Sequence, residues 1–171
     1  NFYTNTNSLS NSPFFLPYLS GERTPHNDSY IRGSFHSMKT TTDATSMQYA
    51  VIEGVSFGIL DGVNSILKVN NNFEKIFMVG GGSRSPFWIQ LLSSLLNRKL
   101  SVCDQSEFGA ALGVARLAMY ADDNIQNKDN IIKEITISKE FEPKMDKINI
   151  LLKRYEIWKN LYSINKKIAP N

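Results

Sequence analysis

The sequence predicts an α/β domain with a partly parallel sheet and a C-terminal helical arm. Three observations carry this prediction. Strand and helix patterns alternate from residue 75 to residue 120, a glycine-rich junction follows the first of those strands, and a long amphipathic stretch lies near the end of the chain.

Taken in order, residues 1–13 are rich in Asn, Ser and Thr and read as a tail or a severed connection. The apolar run from Phe14 to Leu19 reads as a short strand, and Pro17 places it at a sheet edge because proline has no N–H for the ladder. Gly21 to Asp28 carries the turn residues of a loop. Gly33 to Met38 alternates weakly and reads as a second strand. Asp43 is an N-cap for a long helix whose apolar positions include Met47, Val51, Val55, Ile59, Val63 and Ile66.

Lys75 to Val79 is a strand ending in Gly80, Gly81 and Gly82, and Ser85 to Leu96 returns to helical spacing. Lys99 to Cys103 is a further strand closed by Asp104, and Glu107 to Tyr120 is a helix of small residues. A polar connection follows Asp122. From Met145 to Ile164 a helix places Met145, Ile148, Leu152, Tyr155 and Tyr162 on one stripe, as an arm packed on the domain. The boundaries expected are therefore 14–121 for the domain and 122–171 for the connection and helix, with no internal repeat.

The bulk numbers exclude several classes. At 42% hydrophobic and 20% charged residues the chain of 171 residues can bury a core, against global disorder. A net charge of +3 with no evident basic face gives no reason to expect nucleic acid as a partner. No unbroken apolar run approaches the ~18 residues of a membrane span, and no signal-peptide pattern opens the chain, so no membrane is expected. The single Cys103 cannot form an internal disulfide and fits a reducing, cytoplasmic setting. The first residue is Asn, which reads as a fragment or a processed chain.

The strongest chemical signal is Val79-Gly-Gly-Gly-Ser-Arg-Ser85, after a strand and before a helix. Adjacent glycines let backbone approach a ligand closely, and a helix start presents N–H groups and a positive dipole end to an anion such as phosphate. The bland alternative is a turn that serves only tight packing. The segment is no P-loop, since no Gly-Lys-Ser/Thr follows. It nearly fits the dinucleotide fingerprint, with Ser85 at the third glycine position and Asp104 where a ribose-binding acid would stand, so spacing alone leaves an oxidoreductase fragment open.

Gly54, Gly58 and Gly62 recur inside the long helix, where each is worth about 1 kcal/mol less than Ala. Close packing is the expected cause; a pivoting helix is the alternative. Gly109 and Gly113 repeat the theme. In the loop, Arg23 has the fork geometry to hold a phosphate or carboxylate and Asp28 is a candidate base, against the plainer reading of surface salt bridges. His26 and His36 have no ligand-type neighbours at metal spacing, so no metal site is expected. Cys103 reads as a structural thiol, and Trp88 and Trp158 as core.

Phe15-Leu-Pro-Tyr-Leu-Ser-Gly-Glu-Arg-Thr-Pro-His-Asn-Asp28 resembles a segment typical of the bacterial xylulose kinase branch of the FGGY carbohydrate kinases. Gly80 to Gln90 is similar to that family's glycine-rich nucleotide loop, Phe108 to Ala118 to its following helix, and Gly33 to Glu53 to its second signature. Ser37 stands where that signature usually has Gly, Ser46 where it has an acidic, amide or His residue, and Ser85 where some members have Asn.

The resemblance implies an actin-like ATPase (ribonuclease H-like) domain, with a mixed sheet flanked by helices, forming one of two lobes around a cleft. It implies ATP with Mg²⁺ and transfer of the γ-phosphoryl group to D-xylulose. Gly80, Gly81 and Gly82 would border the nucleotide, with Ser85 beside it and Glu22 and Arg23 as cleft residues. The base and sugar pocket belong to the family's N-terminal lobe, whose segments are not found in this sequence, so no catalytic residue and no activity of the chain alone are expected. A homodimer is allowed. A non-catalytic nucleotide-binding or interaction module stays open as the alternative.

Overall fold

The computed structural model describes residues 12–69, 75–104, 106–122, 124, 128, 131, 136–146 and 148–168. The expected tail thus lies almost entirely outside the described residues. Strand β1 (Phe14–Leu16) pairs antiparallel with β2 (Ser34–His36), followed by helix α1 (Ala44–Leu67). Strand β3 (Phe77–Met78) leads through a 3₁₀ turn at Gly81–Arg84 into α2 (Pro86–Leu96), then β4 (Leu100–Cys103). A second 3₁₀ turn at Ser106–Phe108 opens α3 (Gly109–Ala121), and β5 (Ile137–Phe141) and α4 (Ile148–Lys166) complete the chain.

Two compact units result. The first comprises residues 1–73, 94–96 and 144–171, and the second residues 74–93 and 97–143, which cuts across the expected 14–121 span. Strand β5, unforeseen in a segment read as connection, pairs antiparallel with β4, while β3 pairs parallel with β4, so the second unit holds a mixed sheet ordered β3-β4-β5.

In the first unit, Asp43 caps α1 as expected, accepting the Ser46 N–H at 2.7 Å. The buried face of α1 is not the expected one. Tyr49, Ala50, Glu53, Gly54, Ser56, Phe57 and Leu60 are buried, whereas Val51, Ile59 and Ile66 are exposed. Small residues allow the cause: a Cβ on Gly54 would land on the carbonyl oxygen of Phe15, so β1 crosses the helix at backbone contact. Packing thus explains Gly54, while nothing lies within 4 Å of a Cβ on Gly62.

Helix α4 covers the other side with Ile148, Leu151, Tyr155, Trp158 and Leu161, whereas Leu152, placed on its expected stripe, is exposed. Trp158, 1% exposed, donates from Nε1 to the Phe15 carbonyl at 2.8 Å and packs against Phe57 and Tyr155. Truncating such a residue to Ala costs about 3–5 kcal/mol. Beside it Arg154 donates to both carboxylate oxygens of Glu53, at 2.7 and 2.6 Å, and to the carbonyl of Ser12 at 3.1 Å.

By length and composition α1 is apolar enough to cross a bilayer, which corrects the expectation of no such stretch. Glycines and serines break its apolar run, so an unbroken-run criterion passes over it. Its two acidic side chains are engaged inside the unit, Glu53 by Arg154 and Asp61 by the Tyr155 hydroxyl. Two polar partners and a β-strand laid on its glycine face are what a core helix requires.

Candidate functional site

The glycine junction occupies the C-terminal end of β3. Gly80 sits at φ +82° and ψ −171°, a region essentially restricted to glycine, so the chain can turn abruptly out of the strand. Its N–H donates to the Ser106 carbonyl at 2.8 Å, and its own carbonyl accepts the Ser83 N–H at 3.0 Å and the Ser83 hydroxyl at 2.7 Å. The N–H groups of Gly81 and Gly82 open the 3₁₀ turn, where no carbonyl within the turn can receive them. No described residue accepts from either.

The four residues expected at the site therefore fall in one turn with unequal surroundings. A Cβ on Gly80 or Gly81 would meet nothing within 4 Å, so both offer open backbone. Gly82 is different: a Cβ there would strike the Trp88 ring, which lies half-buried across it. Trp88 is thus a cover for the turn rather than a fully buried core residue. The Ser85 hydroxyl accepts the Trp88 N–H at 3.3 Å and the Ser85 carbonyl accepts the Ile89 N–H at 3.1 Å, so Ser85 caps α2.

A cavity of about 340 Å³ adjoins the turn, lined by Arg84, Ile89, Val102, Asp104 and Lys139 among others. Lys139 was beyond sequence reasoning because β5 itself was; its strand is exposed along nearly its whole length, with polar Ser138, Lys139 and Glu140 at its centre. Cys103 also borders the cavity, and burial, with Asp104 adding to it, pushes its thiol up, which is the environment of an unreactive thiol. A Cβ on Gly109 would sit 3.4 Å from the Val79 Cβ, in van der Waals contact and consistent with packing, while Gly113 faces open space.

Glu22 and Arg23 belong to the other unit. Glu22 and Asp28 exchange backbone hydrogen bonds at 2.8 and 2.7 Å, and the Glu22 carboxylate accepts the His26 N–H at 2.7 Å, so Glu22 shapes its own loop. Arg23 is exposed. The loop is fixed to α4 by His26 stacked on Tyr162, ring centroids 3.6 Å apart.

The candidate base Asp28 is corrected by its partners. It accepts the Tyr162 hydroxyl at 2.9 Å and the N–H groups of Tyr30 and Ile31, and Lys166 lies at 3.5 Å. Tyr162 foremost, then the two backbone donors, holds its carboxyl below the usual range, the opposite of a base tuned for proton abstraction. Among the described residues no group of three or more His, Cys, Asp or Glu side chains is placed to hold a metal ion.

Comparison with known proteins follows the same residues. The profile of the C-terminal domain of the FGGY family of carbohydrate kinases matches residues 4–121. A xylulose kinase of Staphylococcus epidermidis is 29% identical over 163 residues, covering 95% of this chain and 33% of its own length. Among solved structures, a xyloylose kinase from Brucella ovis superposes with a TM-score of 0.77 at 34% identity, over 92% of this chain and 32% of that one. A gluconate kinase from Lactobacillus acidophilus gives 0.72 at 26%, over 96% and 34%. The chain thus spans about a third of the length of the relatives it matches.

Proposed function

This chain belongs to the FGGY family of carbohydrate kinases, and from that premise we propose that it is the nucleotide-holding part of an ATP-dependent kinase for D-xylulose. The observation that carries the reading is the glycine turn inside the matched span: open backbone at Gly80 and Gly81, and N–H groups of Gly81 and Gly82 that no described residue accepts. Backbone donors with no side chain in the way suit phosphate oxygens. In this reading Gly80, Gly81 and Gly82 border the nucleotide, the N–H groups of Gly81 and Gly82 facing its phosphates, and Ser85 acts beside them by fixing the start of α2.

Bound ATP supplies the phosphoryl group that passes to the 5-hydroxyl of the sugar. This chain's share is positioning, which is most of what phosphoryl transfer asks of a protein. The donors stand at fixed places before the nucleotide arrives, so no reorganisation is needed as charge shifts. Glu22 and Arg23 are proposed as cleft residues, with Glu22 keeping the loop's shape through the His26 N–H. No protein cage for Mg²⁺ fits the described residues, and no step is assigned to the ion here; Mg²⁺ is commonly held by one or two carboxylates and the nucleotide's own phosphates. The base and sugar pocket lie outside this chain in the proposal, so the chain alone does not turn over substrate. The cytoplasm suits its single half-buried cysteine.

The likeness to a gluconate kinase supports a second acceptor, D-gluconate. Competing the two sugars in a phosphorylation assay of the full reading frame separates them. For the nucleotide site, Gly81→Val is the test. A side chain at position 81 has open space around it, so the fold is retained while the approach of phosphate is blocked. Calorimetric titration with ADP and Mg²⁺ should show binding to the parent and at least about a tenfold loss in the variant. Equal affinity in both moves the nucleotide away from this turn.

A further inference from the structure

Gly80 is the most freely rotating residue type placed where the proposed phosphate cradle begins, so something must hold it. Both of its backbone groups are taken. The N–H goes to the Ser106 carbonyl at 2.8 Å, and the carbonyl receives Ser83 twice, through N–H at 3.0 Å and hydroxyl at 2.7 Å. The Ser83 and Ser106 hydroxyl oxygens are 2.8 Å apart. A hydroxyl has one proton to give. Since Ser83 gives its proton to Gly80, Ser106 must donate to Ser83. A directed chain therefore runs from Ser106 through Ser83 to the Gly80 carbonyl, joining the turn after β4 to the turn after β3.

Both serines are buried, at 8% and 9% exposure, so water does not compete for these bonds and an unmade one is expensive. Neither belongs to the residues singled out for nucleotide contact. We infer that Ser83 and Ser106 are positioning residues that lock the glycine turn in its phosphate-ready shape and thereby set nucleotide affinity. The inference rests on the nucleotide reading above and deepens it. Because the lock acts on the backbone of Gly80 and the 3₁₀ turn that follows, it governs the phosphates and leaves the nucleoside unaffected.

The experiment uses the protein expressed from its full reading frame and measures calorimetric affinities for ADP and for adenosine, with melting temperatures alongside. Ser83→Ala is expected to weaken ADP roughly tenfold, the effect of one lost buried hydrogen bond, and to leave adenosine unchanged. Ser106→Ala, at the far end of the chain of bonds, gives the same pattern if Ser83→Ala fails to fold. The double variant is no weaker than the poorer single one, because both remove one shared device. Ser83→Thr, which keeps the hydroxyl, restores affinity.

ADP affinity within about twofold of the parent in the alanine variants overturns the inference, as does an equal loss for ADP and adenosine. Gly81→Val serves as the reference. If it weakens ADP at least about tenfold while the serine variants stay within about twofold of the parent, the lock is refuted and the site stands. If the parent binds no ADP, or Gly81→Val binds as well as the parent, the nucleotide reading falls and the lock with it.

Discussion

Replacing Arg154 with Met should leave Glu53 as a buried carboxylate without its counter-ion. The side chains are 8% and 2% exposed, and Arg154 supplies two hydrogen bonds to the carboxylate, at 2.7 and 2.6 Å, besides one to the Ser12 carbonyl. Methionine preserves part of the apolar stem, including contact with the Phe14 ring over which the guanidinium sits at 4.3 Å. The loss is therefore chiefly electrostatic. Removing one partner of a buried pair costs about 3–5 kcal/mol, a large part of the roughly 5–15 kcal/mol that stabilises a typical domain.

The sign of the pH dependence follows from the same site. In the parent, burial pushes the Glu53 carboxyl up, while the hydrogen bonds and charge of Arg154 pull it down. Without Arg154 the upward push is left largely unopposed, so the folded variant binds a proton at a pH where the unfolded chain, near an ordinary value of about 4.3, has lost it. A raised folded value stabilises below the unfolded one, and that stability is lost as pH rises through the folded value. Urea unfolding of parent and variant at about pH 5 and about pH 7.5 should show a smaller deficit at the lower pH. A deficit below about 1 kcal/mol, or one equal at both pH values, would refute the assignment of Glu53 and Arg154 as a stability-bearing pair.

Two other substitutions test the packing and the backbone. Gly54→Ala forces a Cβ onto the Phe15 carbonyl and should destabilise by roughly 1–3 kcal/mol, whereas Gly62→Ala, facing open space in a helix, should stabilise by about 1 kcal/mol. Thermal midpoints that move in the same direction for both would sink the claim that only the first glycine is a contact. Ser37 lies at φ +62°, a left-handed conformation costly to residues with a Cβ, so Ser37→Gly should gain up to about 1 kcal/mol in a denaturation curve. A loss instead would mean that the serine side chain contributes more than the strain removes.

Much of this was legible from residues alone, and the failures share a cause. The Asp43 cap, the strand–turn–helix around the glycines and the strand after Lys99 follow from local chemistry, and the structure places them as read. The face of α1 did not follow, because its buried stripe mixes Tyr49, Phe57 and Leu60 with Ala50, Gly54, Ser56 and a paired Glu53, while the apolar Val51, Ile59 and Ile66 that compete with it for the pattern are exposed. What buries them is the close approach of β1 and the distant Arg154, neither visible in a local window. Strand β5 escaped for the opposite reason: its residues are mostly exposed and polar, and pairing with β4 alone defines it. At the site, the glycines were readable, but Ser83 and Ser106 are 23 positions apart and only the fold brings their hydroxyls together. Spacing also left a dinucleotide fragment open, which membership of the FGGY family removes.

The route of the chain through the first unit has a consequence for synthesis. Phe15 is held by Trp158 across 143 positions, and Ser12 by Arg154 across 142, with the whole of the second unit encoded between. A chain emerging from the ribosome makes β1 and α1 before the second unit, but the helix that seals them only after it. Until then the apolar residues of β1 and the unpaired Glu53 wait without their lid, whereas the second unit has its full set of strands before α4 exists. Distant closure of this kind slows the final step. Of the two units, the nascent first one is thus the longer exposed to chaperones and proteases, and a premature stop before α4 leaves it in that state.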